Sequence, residues 1–72
     1  MARGLLLAMV MDTPPGPVIR TLREALHMSQ TELARALDWS PRTISAWERG
    51  RAEPSRLAFK IILAFAEARG VR

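Results

Sequence analysis

Arginine is the side chain with which this chain could do most of its chemistry. Lys60 is the only lysine among the eleven Lys and Arg residues, which outnumber the seven Asp and Glu and leave a formal charge of +4. A planar guanidinium presents paired donors that match phosphate oxygens and the guanine edge, so an arginine-borne charge favours anion and nucleic-acid recognition over mere solubility. A basic balance also suits acidic proteins or anionic membranes, and charge alone does not choose between them. Catalysis is poorly provided for. The single histidine, His27, has no cysteine to activate, and no group of histidines and carboxylates falls at metal-ligand spacing. The chain is therefore read as neither an enzyme nor a cofactor or metal protein, and its length leaves no separate domain for sensing a small molecule.

The elements that would position those arginines lie between Ser29 and Arg49. Ser29 followed three residues later by Glu32 is a capping box, in which the serine oxygen accepts from the Glu32 N–H and the carboxylate accepts from the Ser29 N–H. A helix begins there. Leu33, Ala34 and Leu37 give it one narrow apolar face, and it stops at Asp38. Ser40 and Pro41 then supply an N-cap and a first helical residue for a second short helix. Ile44 and Trp47 anchor that helix and leave Arg42, Thr43, Ser45, Ala46 and Arg49 facing outward. Two helices joined by a tight turn, the second polar on its free side, are what a helix-turn-helix needs to reach into a major groove. The competing reading is a plain helical hairpin whose arginine face is merely solvated.

Ordered motifs bear on that choice. Leu22-Arg23, Ser29-Gln30, Glu32-Leu33-Ala34, Ser40, Thr43-Ile44-Ser45, Trp47-Glu48-Arg49-Gly50 and Pro54 occur in sequence at set separations. Over residues 17 to 68 this pattern resembles the Cro and phage-repressor type of helix-turn-helix, the XRE family. The resemblance implies an all-α, lambda-repressor-like compact bundle of four to five short helices that binds operator DNA as a homodimer. Position by position, it implies base reading by Pro41, Arg42, Ser45 and Ala46, with Arg42 set to contact guanine. Gln30 matches a phosphate contact that also helps brace the first base contact, Ser40 at the N-cap counts among the DNA-binding positions, and Thr43, Arg49 and Arg51 complete the backbone clamp. It also implies a partly buried ion pair between Arg23 and Glu48. Three positions depart from the family pattern. His27 and Asp38 stand where turn glycines are usual, and Trp39 replaces a smaller apolar residue, read here as core rather than as a stacking contact. A narrower likeness, from Ser40 through Ser55, is to HigA-like antitoxins, which bind a RelE-like toxin and repress their own operon. A third possibility is an interaction module that never touches DNA.

The rest of the chain frames this unit. Seventy-two residues make one domain, and a domain this small buries only about 60% of its unfolded surface, which favours association with a second copy. The absence of cysteine suits a cytoplasmic protein. No stretch reaches the ~18 apolar residues of a membrane span, and Leu5 to Met11 makes a poor signal peptide. Residues 1 to 16 read as an apolar segment with a proline-rich linker, Thr13-Pro-Pro-Gly-Pro17, and residues 17 to 70 as the helix-turn-helix domain. The apolar segment is expected to pack on its own domain or across a dimer; an upstream start codon, with Met11 the functional beginning, is the other option. Pro17 is expected to open helix 1, with Val18, Ile19, Leu22, Ala25 and Leu26 as its core stripe. Ser55 caps a last helix running to about Arg69, apolar nearly all round, so it needs cover on more than one side. The fifth helix usual in the family has no counterpart, and the N-terminal segment is the candidate to replace it.

Overall fold

The computed structural model describes residues 13–71, so the expectations for the apolar segment, its packing and the start at Met11 fall outside the described residues. Four helices follow one another: α1 (Pro15–Ala25), α2 (Gln30–Ala36), α3 (Pro41–Glu48) and α4 (Arg56–Ala68). No strand occurs among the described residues. Helix α1 begins two residues ahead of the expected start at Pro17, with Pro14 as its N-cap residue. First-turn N–H groups have no partner within a helix, so prolines at Pro15 and Pro17 forfeit nothing there.

That earlier start gives Gly16 a role the sequence did not announce. It is buried in the first turn of α1, and a Cβ built on it would lie 2.5 Å from the Trp47 carbonyl oxygen and 3.1 Å from that of Glu48. Only a glycine lets α1 lie this close to the end of α3. In an open helix Gly→Ala gains up to about 1 kcal/mol; here we expect the sign to reverse. Gly16→Ala should destabilise the domain by about 1 to 3 kcal/mol through overpacking, read as a lower urea midpoint, and a raised midpoint would contradict the close approach.

Three of the four N-termini, those of α2, α3 and α4, are closed by serines. The side chains of Ser29, Ser40 and Ser55 accept from the backbone N–H groups of Glu32, Thr43 and Ala58, and Glu32 completes the capping box at 2.8 Å. All four C-termini end in one motif, with a residue of positive φ followed by a backbone bond back to the last turn. Met28, Trp39, Arg51 and Val71 donate to the carbonyls of Arg23, Ala34, Ala46 and Ala66. The positive-φ residues are His27 (57°), Asp38 (60°), Gly50 (75°) and Gly70 (94°). The two departures from glycine therefore keep the turn geometry, because Asp and His tolerate this region better than most side chains.

Nine residues form the buried core: Val18, Ile19 and Leu22 of α1, Leu33 and Ala34 of α2, Ile44 and Trp47 of α3, and Ile62 and Ala66 of α4. Leu26, Leu37 and Trp39 pack against it from the turns. Ala25, expected in the core stripe, is exposed. It closes the helix, and the hydrophobic contact there passes to Leu26, the C-cap residue.

Candidate nucleic-acid interface

Helix α3 is fixed from behind and open in front. Ile44 is fully buried and Trp47 is 9% exposed, while the Trp39 ring meets Trp47 edge to face, with centroids 5.0 Å apart at 81°. This pairing makes Trp39 part of the support. On the free side Pro41, Arg42 and Arg49 are exposed, and so is Arg51 beyond Gly50. Thr43, Ser45 and Ala46, expected to face outward, are half-buried. Eight residues wedged against both α1 and α2 have neighbours on two sides, so the flanks of the helix are partly covered. Arg42 and Arg49 are thus the most open side chains of the face, with the half-buried Ser45 and Ala46 between them in sequence.

The hydroxyls of Ser40 and Thr43 lie 3.1 Å apart and the Ser40 oxygen also accepts the Thr43 N–H at 3.1 Å. Both side chains thereby help to hold the first turn of α3, with capacity left for one further bond at the Ser40 hydroxyl and two at that of Thr43. Gln30, expected at a phosphate, donates its side-chain N–H to Glu48 Oε1 at 3.1 Å and is half-buried. That bond uses one of the two amide N–H groups, so the second side-chain N–H, with the backbone N–H groups at the helix start, is what Gln30 can still offer to a phosphate.

The Arg23–Glu48 pair expected from the resemblance is present and bidentate. Arg23 Nε donates to Glu48 Oε2 at 2.8 Å and Nη2 to Oε1 at 3.1 Å, while Nη1 donates to the Met28 carbonyl at 2.9 Å. One guanidinium thus joins α1, the turn after it and the end of α3. The side chains are 15% and 4% exposed, and no buried side-chain nitrogen or oxygen among the described residues lacks a partner. Burial pushes the Glu48 carboxyl up, but hydrogen bonds from Arg23 and Gln30 with the charges of Arg23 and Arg20 outweigh it, and the group titrates below the ordinary glutamate range. The Arg23 guanidinium is raised by its hydrogen bond to Glu48, against the opposing effect of burial.

A carboxyl held low in the folded state contributes stability that is complete above its unfolded value, about 4.3, and is lost as pH falls through the folded value. Stability should therefore decline with acid below about pH 4.3, and Glu48→Gln should flatten part of that slope while lowering stability at pH 7. Urea midpoints measured from pH 3 to 7 test this; an unchanged acid slope in the variant would show that Glu48 is not the group responsible.

Against known sequences, the family model described as helix-turn-helix matches residues 19–66, well over half of the chain. The chain belongs to the helix-turn-helix family. The Cro and phage-repressor type inferred from the motifs is the type matched. This helix-turn-helix chain is also similar to the type II methyltransferase M.SsoII of Shigella sonnei, 44% identical over 50 residues. The match takes in 65% of the chain and 13% of that protein, so the chain spans about an eighth of the length of this curated relative. No solved structure matches. Among the described residues no helix is long and apolar enough to cross a membrane.

Sequence reasoning missed two contributors to the site. Gly16 sets how closely α1 approaches the carbonyl end of α3, and the Met28 carbonyl takes the third arginine bond. Neither has a side-chain signal. A proline on each side of Gly16 was the one clue, and it reads equally well as a linker.

Proposed function

We propose that this helix-turn-helix chain is a sequence-specific DNA-binding transcriptional regulator, acting as a repressor through two copies on adjacent half-sites. One observation carries the reading: α3 is held by Ile44 and Trp47 from within the core while Arg42 and Arg49 are exposed on its opposite side. In this reading Arg42 donates in a bidentate manner to guanine O6 and N7, Ser45 bonds a base edge, the Ala46 methyl meets thymine and Pro41 contributes shape. Gln30, Ser40, Thr43, Arg49 and Arg51 hold the backbone on either side, and the N–H groups at the start of α2 face a phosphate. The domain, expected over residues 17 to 70, takes in the first turn of α1 from Pro15 as well, and does no chemistry on the DNA. The antitoxin version adds a toxin protein as partner, and co-purification separates it from the plain regulator.

A helix of this length covers few base pairs, so specificity calls for a pair of half-sites about one turn apart, ~34 Å. Selection from random duplex DNA should return a short inverted repeat with guanine in each half and that spacing. Recovery of unrelated sequences at every round would remove sequence-specific reading, and recovery of single half-sites would remove the paired arrangement.

A further inference from the structure

Helix α4 has three faces. Phe59, Ile62 and Ala66 meet the core, and the exposed Arg56, Lys60 and Glu67 make a charged side. Between them runs an apolar stripe at i, i+4, i+7 and i+11: Leu57 is 69% exposed, Ile61 is 40% exposed, and Ala64 and Ala68 are both exposed. Leu57 and Ile61 are the only exposed large hydrophobics among the described residues, and they stand one turn apart. Eleven residues of helix make the stripe about 16 Å long.

We propose that the stripe is covered by the chain's own N-terminal segment, Leu5 to Met11. Three observations select this occupant. Leu5-Leu-Leu-Ala-Met-Val-Met11 is seven consecutive apolar residues, which in water would need cover as much as the stripe does. The described chain begins at Thr13, and Pro14 to Pro17 form one wall of a shallow cleft of about 250 Å³ whose other wall includes Ala52, Glu53 and Pro54. The segment thus joins the domain beside the loop that leads into α4, three residues before Leu57. Leu5 to Met11 extended spans about 20 Å, which matches the stripe. A second copy is the weaker occupant. Two large side chains and two alanines fall well short of the ~800 Å² per partner of a stable interface, whereas a tethered segment meets the stripe at an effective concentration in the mM range.

The full chain, isotope-labelled at its methyl groups, tests this by nuclear Overhauser contacts. Cross-peaks are expected from the methyls of Leu5 to Met11 to those of Leu57 and Ile61. They should persist in a sample mixed to detect only contacts within one chain, and disappear with Leu6→Asp while the contacts among Val18, Leu22 and Ile44 remain. Contacts found solely between chains would make the occupant a second copy and overturn the proposal, and so would contacts to another surface or none to α4. The result is independent of DNA binding, which needs Arg42 and Arg49 and not this face.

Discussion

Arg23→Ala is expected to cost about 3 to 5 kcal/mol, because it leaves the carboxylate of Glu48 buried without its charge partner. A domain of this length has about 4 to 11 kcal/mol to lose, so the variant should lose at least about a quarter of its stability and unfold at a clearly lower urea midpoint than the parent. The size of the effect comes from burial. Glu48 has a side chain only 4% exposed and receives three hydrogen bonds, two from Arg23 and one from Gln30. With Arg23 gone, Gln30 alone cannot neutralise the charge, and the Met28 carbonyl also loses its donor. Exchanging both charges, Arg23→Met with Glu48→Leu, should recover much of the loss, since a buried ion pair is often worth no more than well-packed apolar side chains. Urea unfolding followed by the emission of Trp39 and Trp47 measures all three proteins. A loss below about 1 kcal/mol for Arg23→Ala, the value of an exposed pair, would show that the guanidinium spends its time in water.

The exposed pair Arg20–Glu24, at 3.3 Å with both side chains more than half exposed, gives the contrast. Surface pairs one turn apart contribute about 0.3 to 0.5 kcal/mol. Two arginines of α1, one paired within its own helix and the other with the end of α3, therefore differ about tenfold in expected effect, and solvent access accounts for the difference.

The second large effect concerns binding. Arg42→Ala should weaken binding by about 1 to 3 kcal/mol for each half-site occupied, roughly 5- to 150-fold per half-site, and relax the preference for guanine at one position in each. Arg49→Ala should weaken all sequences alike and reduce the slope of log affinity against log salt by about one for each copy bound. Together the two changes should abolish specific retardation at moderate salt. Both side chains are exposed, so thermal stability should stay within about ±0.5 kcal/mol of the parent. That combination separates loss of contact from loss of fold. Affinity and salt slope left unchanged by the double variant would end the assignment of α3 as the reading helix.

Much of this was legible in the residues themselves. Capping is local chemistry, so Ser29, Glu32, Ser40, Pro41 and Ser55 marked helix starts that the structure reproduces. The three-residue spacing of Ile44 and Trp47 fixed which side of α3 turns inward, since helical periodicity needs no tertiary information. The Arg23–Glu48 pair was expected from the family pattern, not from spacing, because nothing within one helix links residues 25 apart.

Other features depend on where separate helices meet. Thr43, Ser45 and Ala46 are half-buried because α1 and α2 flank α3 on both sides, and the count of free positions on a short helix is set by its neighbours. Helix α1 reaches back to Pro15, and its first turn brings Gly16 against the carbonyls of Trp47 and Glu48, a contact between chain segments some thirty residues apart. Composition and periodicity determine which residues can form a helix and which side of it is apolar. How much of the other side remains open to a partner is decided only when the helices pack, because coverage is a property of two surfaces.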